Sequence, residues 1–146
     1  MADLHIDDFY RDSAMIMLQL YSRFPRKTIL YVEDISGPDA PDEYGLHSER
    51  FQACFSAMVW LGQQGYLQFE DTVREEALDQ GVLTQRGFLL LSSRSELELG
   101  IPVEEEEQLP PSVMEHSQTN VNQIRAALKS GSSIMLRHVM HYMLSL

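Results

Sequence analysis

The stretch "GYLQFEDTVREEALDQGVLTQRGFLLL", Gly65 to Leu91, decides how the rest of the chain is read. Its first part, "YLQFE", alternates, with Leu67 and Phe69 on one side and Tyr66, Gln68 and Glu70 on the other, the period-two pattern of a half-buried strand. After a turn spanning Asp71 to Glu75, "ALDQGVL" returns as the partner strand, with Gly81 as a candidate bulge. Thr84 then has the side chain and the position to cap a helix through "QRGFLLLSS". The tip of this hairpin is acidic: from Glu70 to Asp79 five acids stand against one arginine, Arg74, so its field repels a phosphate backbone.

Working upstream, "ERFQACFSAMVWLGQQ" places Phe51, Cys54, Phe55, Met58 and Gly62 on one helical face, with Ser48 as its N-cap and Gly65 as its end. From Asp7 to Phe24, Phe9, Ile16, Met17, Leu20, Tyr21 and Phe24 recur at helical spacing, acids open the segment where the helix dipole favours them, and Pro25 stops it. "KTILYVEDI" predicts a strand over Thr28 to Val32 and a helical turn from Glu33, and the glycines, prolines and acids of "SGPDAPDEYG" predict a loop from Ser36.

The order helix, strand, loop or short helix, helix, hairpin, helix resembles the winged-helix superfamily, and "GYLQF…GVLTQRGFLLL" carries the resemblance. It implies that Gly65 closes a recognition helix, that Tyr66 to Leu83 form a two-stranded wing, and that Leu83-Thr84-Gln85-Arg86-Gly87 opens the next helix. The expected fold is α+β and mostly helical: a winged-helix head over residues 1–92, an acidic linker over 93–111 and a C-terminal helical extension over 112–146. The linker holds Glu104 to Glu107 and Pro110-Pro111, which no helix crosses.

In the extension, Val113, Val121, Ile124 and Leu128 lie near one stripe and Gly131 interrupts it. Leu136, Val139, Met140 and Met143 then share a face opposite Arg137, His138, His141 and Ser145. Such a face must be covered, by the chain's own head or by a second copy. Winged-helix proteins commonly pair through helices outside the core, so the resemblance implies a homodimer assembled through Val121, Ile124, Leu128, Leu136, Val139 and Met143.

Within that resemblance the outward face of the recognition helix comprises Glu49, Ala53, Ser56, Ala57, Trp60 and Gln64, with Arg50 near its edge. Small side chains around a tryptophan suit another protein surface better than base edges, which call for arginine, lysine, asparagine and glutamine. Trp60 could alternatively be covered by the chain's own C-terminal helices. The expected function is non-enzymatic docking to a protein partner. The alternative is a dimeric transcription regulator presenting Arg50, Gln52, Gln63 or Gln64 to duplex DNA, with Arg23, Arg26 and Lys27 on phosphates.

Charge weighs against that alternative. The net charge is −11; residues 1–100 hold 8 basic and 17 acidic side chains, whereas residues 112–146 hold Arg125, Lys129 and Arg137 against Glu115. Affinity for DNA rests largely on cations displacing counterions from phosphates. The single cysteine excludes an internal disulfide, "MADLHIDDFY" lacks the basic start and apolar run of a signal peptide, and no apolar run is of membrane-spanning length, so a cytoplasmic, non-membrane protein is expected. Cys54 sits among phenylalanines as a small hydrophobe, His138 and His141 lack a third ligand, and Glu104 to Glu107 lack the spacing of a calcium loop. No catalytic residue, cofactor or metal is expected.

Overall fold

The computed structural model describes residues 3–97 and 118–146 and divides the chain into two compact units, Met1–Phe88 and Leu89–Leu146. The architecture is mixed α+β and mostly helical, with one small antiparallel sheet. In the first unit the order is α1 (Leu4–Arg23), β1 (Thr28–Tyr31), α2 (Glu33–Ser36), α3 (Glu49–Gln63), β2 (Leu67–Gln68), β3 (Asp71–Val73) and β4 (Ala77–Leu83). Helix α4 (Gln85–Ser92) runs across the division between the units. This order is compatible with the winged-helix arrangement that the sequence resembles.

The helices follow the spacing of their apolar residues. Ile16, Met17 and Leu20 of α1 and Phe51, Cys54, Met58 and Leu61 of α3 are all buried, forming the inner faces of two helices that pack on each other. Ser48 caps α3 by accepting a hydrogen bond from the Phe51 N–H at 3.2 Å. Where a longer second helix is typical, the chain forms only the single turn α2 and then an extended loop to Ser48.

The hairpin differs from the two strands expected. Its outgoing arm is two short strands, β2 and β3, both paired antiparallel with β4, while β1 pairs with the opposite side of β4. An extra residue does interrupt β4. Thr28 lies opposite Gly81 and Leu30 opposite Leu78, so two steps on β1 span three on β4, and Gln80 takes up the excess with φ 57°. Gly81 follows it, where an added Cβ would lie 3.4 Å from the Thr28 carbonyl oxygen. The β3–β4 turn places both Arg74 and Glu75 at positive φ, 52° and 57°, with the Glu76 N–H on the Val73 carbonyl at 2.8 Å. Two left-handed central residues match the hand of a tight hairpin, a geometry that asparagine and glycine adopt with less strain than arginine and glutamate.

The junction between α3, β2 and α4 is built from the motif Leu83 to Gly87. Gly65 turns the chain at φ +84°. The Thr84 hydroxyl donates to the Gly65 carbonyl at 2.5 Å and accepts from the Gly87 N–H at 3.1 Å, tying the end of one helix to the start of the next. Arg86 donates to the Gln64 carbonyl at 2.5 Å and to the Tyr66 hydroxyl at 3.1 Å, with its guanidinium 4.3 Å from the centre of the Tyr66 ring. Gly87 is required by close approach, because a Cβ there would stand 2.1 Å from the Tyr66 carbonyl oxygen.

In the second unit, Ser93–Leu97 and Gln118–Asn120 run past each other. The Ser95 N–H donates to the Gln118 carbonyl at 2.7 Å, the Asn120 N–H to that of Ser93 at 2.9 Å, and the Asn120 side chain to that of Leu90 at 2.7 Å. Helix α5 (Asn120–Ser130) ends at Gly131 with φ 71°, and Ser132 caps α6 (Ser133–Leu144) by accepting from the Met135 N–H. The two helices pack together. Val121, Ile124, Val139 and Met143 are fully buried, Leu136 is 7% exposed and Leu128 is half-buried. Five of the six residues expected to form an assembly face are thus buried within the chain itself. Glu104 to Glu107, Pro110-Pro111 and Val113 lie outside the described residues.

Candidate interaction surface on the third helix

Helix α3 presents Glu49, Gln52, Ala53, Ser56, Gln63 and the C-cap Gln64 to solvent, with Trp60 at the margin. Ala57 does not belong to this face. It is 4% exposed, because α1 and the sheet both pack against α3 and widen its buried arc beyond a single stripe. Trp60 is 37% exposed and meets the Phe9 ring of α1 edge to face, with centroids 5.2 Å apart and planes at 84°. One flank of the indole is thus fixed on a neighbouring helix while another remains open, giving a rigid aromatic with a defined orientation.

The one arginine of this helix is committed elsewhere. Arg50 donates two parallel hydrogen bonds to Asp12, at 2.6 and 2.5 Å, and lies 3.7 Å from Asp8. Asp12 is 1% exposed, so the guanidinium is the counter-charge of a buried carboxylate; hydrogen bonding to that carboxylate raises its own pKa. Arg50 is therefore a link between α1 and α3 and not a group held out toward phosphates. Gln52 is also engaged, donating to the His47 carbonyl at 2.8 Å. Arg23, Arg26 and Lys27 are exposed, and Lys27 lies 3.5 Å from Glu70.

A cluster centred on His47, which sequence spacing did not single out, borders the helix N-terminus. One imidazole nitrogen lies 2.9 Å from Asp39 and the other 3.0 Å from Glu76, while the ring stacks on Phe51 with centroids 3.8 Å apart. The side chain is 13% exposed. Hydrogen bonding to Glu76, then to Asp39, and the two negative charges hold His47 above its ordinary pKa despite the opposing effect of burial. Asp39 also accepts the Ser48 N–H at 3.0 Å, the largest cause of its lowered pKa. Asp42 turns the loop by accepting the N–H groups of Tyr44 and Leu46 at 2.8 and 2.9 Å. The loop before α3 is therefore clamped to the hairpin turn through an imidazole between two carboxylates. The capping pattern around Ser48 signals the helix start, but nothing in it signals Glu76, 29 positions away.

The arrangement offers little to nucleophilic chemistry. Cys54 is fully buried, and desolvation pushes its thiol up to about 12, so it stands as a protonated hydrophobe. His138 and His141 lie on the exposed side of α6, and among the described residues no three histidine, cysteine or acidic side chains come together as a metal site. No described helix is long and apolar enough to cross a membrane. Neither a protein-family model, nor a curated protein, nor a solved structure matches this chain.

Proposed function

We propose that the first unit is a winged-helix head used for docking to another protein, with Ala53, Ser56, Trp60 and Gln64 at the centre of the contact and the acidic hairpin at its rim. The observation that carries this reading is the half-exposed indole held at a fixed angle by Phe9 among small side chains on a helix whose only cation is paired with a buried acid. A preoriented tryptophan loses little conformational freedom on binding, and aromatic anchors carry much of the energy of protein interfaces. The acidic hairpin favours a partner with basic side chains and raises the association rate. The chain acts in this reading by contact, without chemistry of its own.

A photo-crosslinking residue at Ser56, installed in the full-length chain in its native host, tests the proposal. One discrete protein adduct is expected, and Trp60→Ala should lower its yield roughly tenfold or more while leaving the thermal midpoint within a few degrees. The same residue at Lys129, in the second unit, should not give that adduct. Absence of a discrete adduct at Ser56, combined with salt-sensitive retention of duplex DNA by the purified chain, would replace the docking reading with the DNA-binding regulator.

A further inference from the structure

Strand β1 is the edge of the sheet, and its outward side is apolar. Ile29 and Tyr31 are 43% and 45% exposed, whereas Leu30 between them is fully buried. Val73 extends the patch across the sheet: it and Tyr31 both lie opposite Ala77, and it is 45% exposed. The Val32 N–H donates inward to the Glu76 carbonyl and Leu30 pairs with Leu78. By the alternation of an antiparallel ladder, the backbone N–H and C=O groups of Ile29 and Tyr31 point away from β4, and among the described residues no strand lies beyond them. An apolar edge of this kind is a template for another strand.

The flanking charges identify that strand. In "RKTILYVED", Arg26 and Lys27 precede β1 and Glu33 and Asp34 follow it, all four exposed. We infer that β1 pairs antiparallel with β1 of a second copy of this chain, about a two-fold axis at Leu30. With Leu30 opposite Leu30 of the second copy, Ile29 faces Tyr31 in a pair that exchanges both outward backbone hydrogen bonds, and the apolar side chains meet on one face. At each end of the paired strands, the basic Arg26–Lys27 before β1 of one copy then lies near the acidic Glu33–Asp34 that opens α2 of the other. Shifting by two residues in either direction sets Lys27 against Tyr31 or Ile29 against Glu33 and breaks that correspondence. The sequence is thus complementary to its own reverse, which is what an isologous contact requires. The surface Lys27–Glu70 pair is weak enough to yield to it. The contact leaves the exposed face of α3 out of the pairing and does not depend on the docking reading.

The test is a charge swap read by sedimentation equilibrium at low salt. The wild-type chain should dimerise, Arg26→Glu/Lys27→Glu and Glu33→Lys/Asp34→Lys should each raise the dimer dissociation constant roughly tenfold or more, and an equimolar mixture of the two variants should form a heterodimer as tightly as the wild type. Recovery on mixing also shows that each variant is folded. Far-ultraviolet circular dichroism checks the fold if it does not recover. A wild-type chain that stays monomeric at about 0.5 mM, where even a weak contact is populated, overturns the inference. So does a dimer indifferent to both swaps, or a pair of folded variants that fail to recover on mixing.

Discussion

Two regions of the first unit hold separate segments together, and they do so by opposite means. At the junction of α3 and α4, the contacts are the Thr84 hydroxyl, the Arg86 guanidinium on a carbonyl and a phenol, and the close approach that leaves Gly87 no room for a side chain. At the start of α3, His47 stands between two carboxylates and the loop bends around Asp39 and Asp42. The first region depends on shape and on hydrogen bonds to backbone carbonyls and a phenol. The second depends on charge, and the protons of the solvent set its strength. A fold can therefore keep its helix-to-helix geometry constant while leaving the approach to α3 responsive to conditions.

The largest effect expected from breaking this comparison is at Gly87. Gly87→Ala drives a methyl into the Tyr66 backbone and should cost at least about 3 kcal/mol in chemical denaturation, with little dependence on pH. Arg50→Ala leaves Asp12 buried without its counter-charge and should cost about 3 kcal/mol, the low end for a buried pair because the guanidinium keeps contact with water. Much of that loss should be absent when Asp12→Leu is added, a double-mutant cycle that separates burial of the acid from loss of the pair. Thr84→Val removes both hydrogen bonds of one hydroxyl and should cost about 2 kcal/mol.

The charged region sharpens the contrast from the other side. The His47 pKa is raised on folding, so its contribution is present in full below the ordinary imidazole value of about 6.5 and is lost as pH rises through the folded value. Against His47→Gln, the wild-type chain should lose stability as pH rises above the ordinary imidazole value, and Glu76→Gln should lower the His47 pKa measured by nuclear magnetic resonance. Asp39 acts in the opposite window: its lowered pKa gives stability above its ordinary value that fades as acid is added. The smallest effect is a gain. Arg74→Asn with Glu75→Gly relieves two left-handed residues and should stabilise the hairpin by about 1 kcal/mol.

Local order was legible in the sequence wherever one segment carries its own signal. Apolar residues at helical spacing mark α1 and α3, Ser48 and Thr84 mark helix starts, and the glycines at 65 and 131 mark two ends. The break between β2 and β3 was not legible, because "YLQFE" alternates without interruption and only pairing with β4 reveals where the strand parts. Nor were the two polar links, Arg50 to Asp12 and His47 to Glu76, which join residues 38 and 29 positions apart. The spacing of a helix shows that a face must be covered but not by what. Spacing alone therefore places Ala57 on the outside of α3, whereas the elements packed around that helix bury it.

Cys54 turns the interior of the first unit into a built-in reporter. A thiol with no exposure and a pKa near 12 is inert to alkylating reagents while the fold is closed and reacts once the helix around it opens. Since the chain has no other cysteine, the mass added by a single alkyl group dates each opening event without any engineered label.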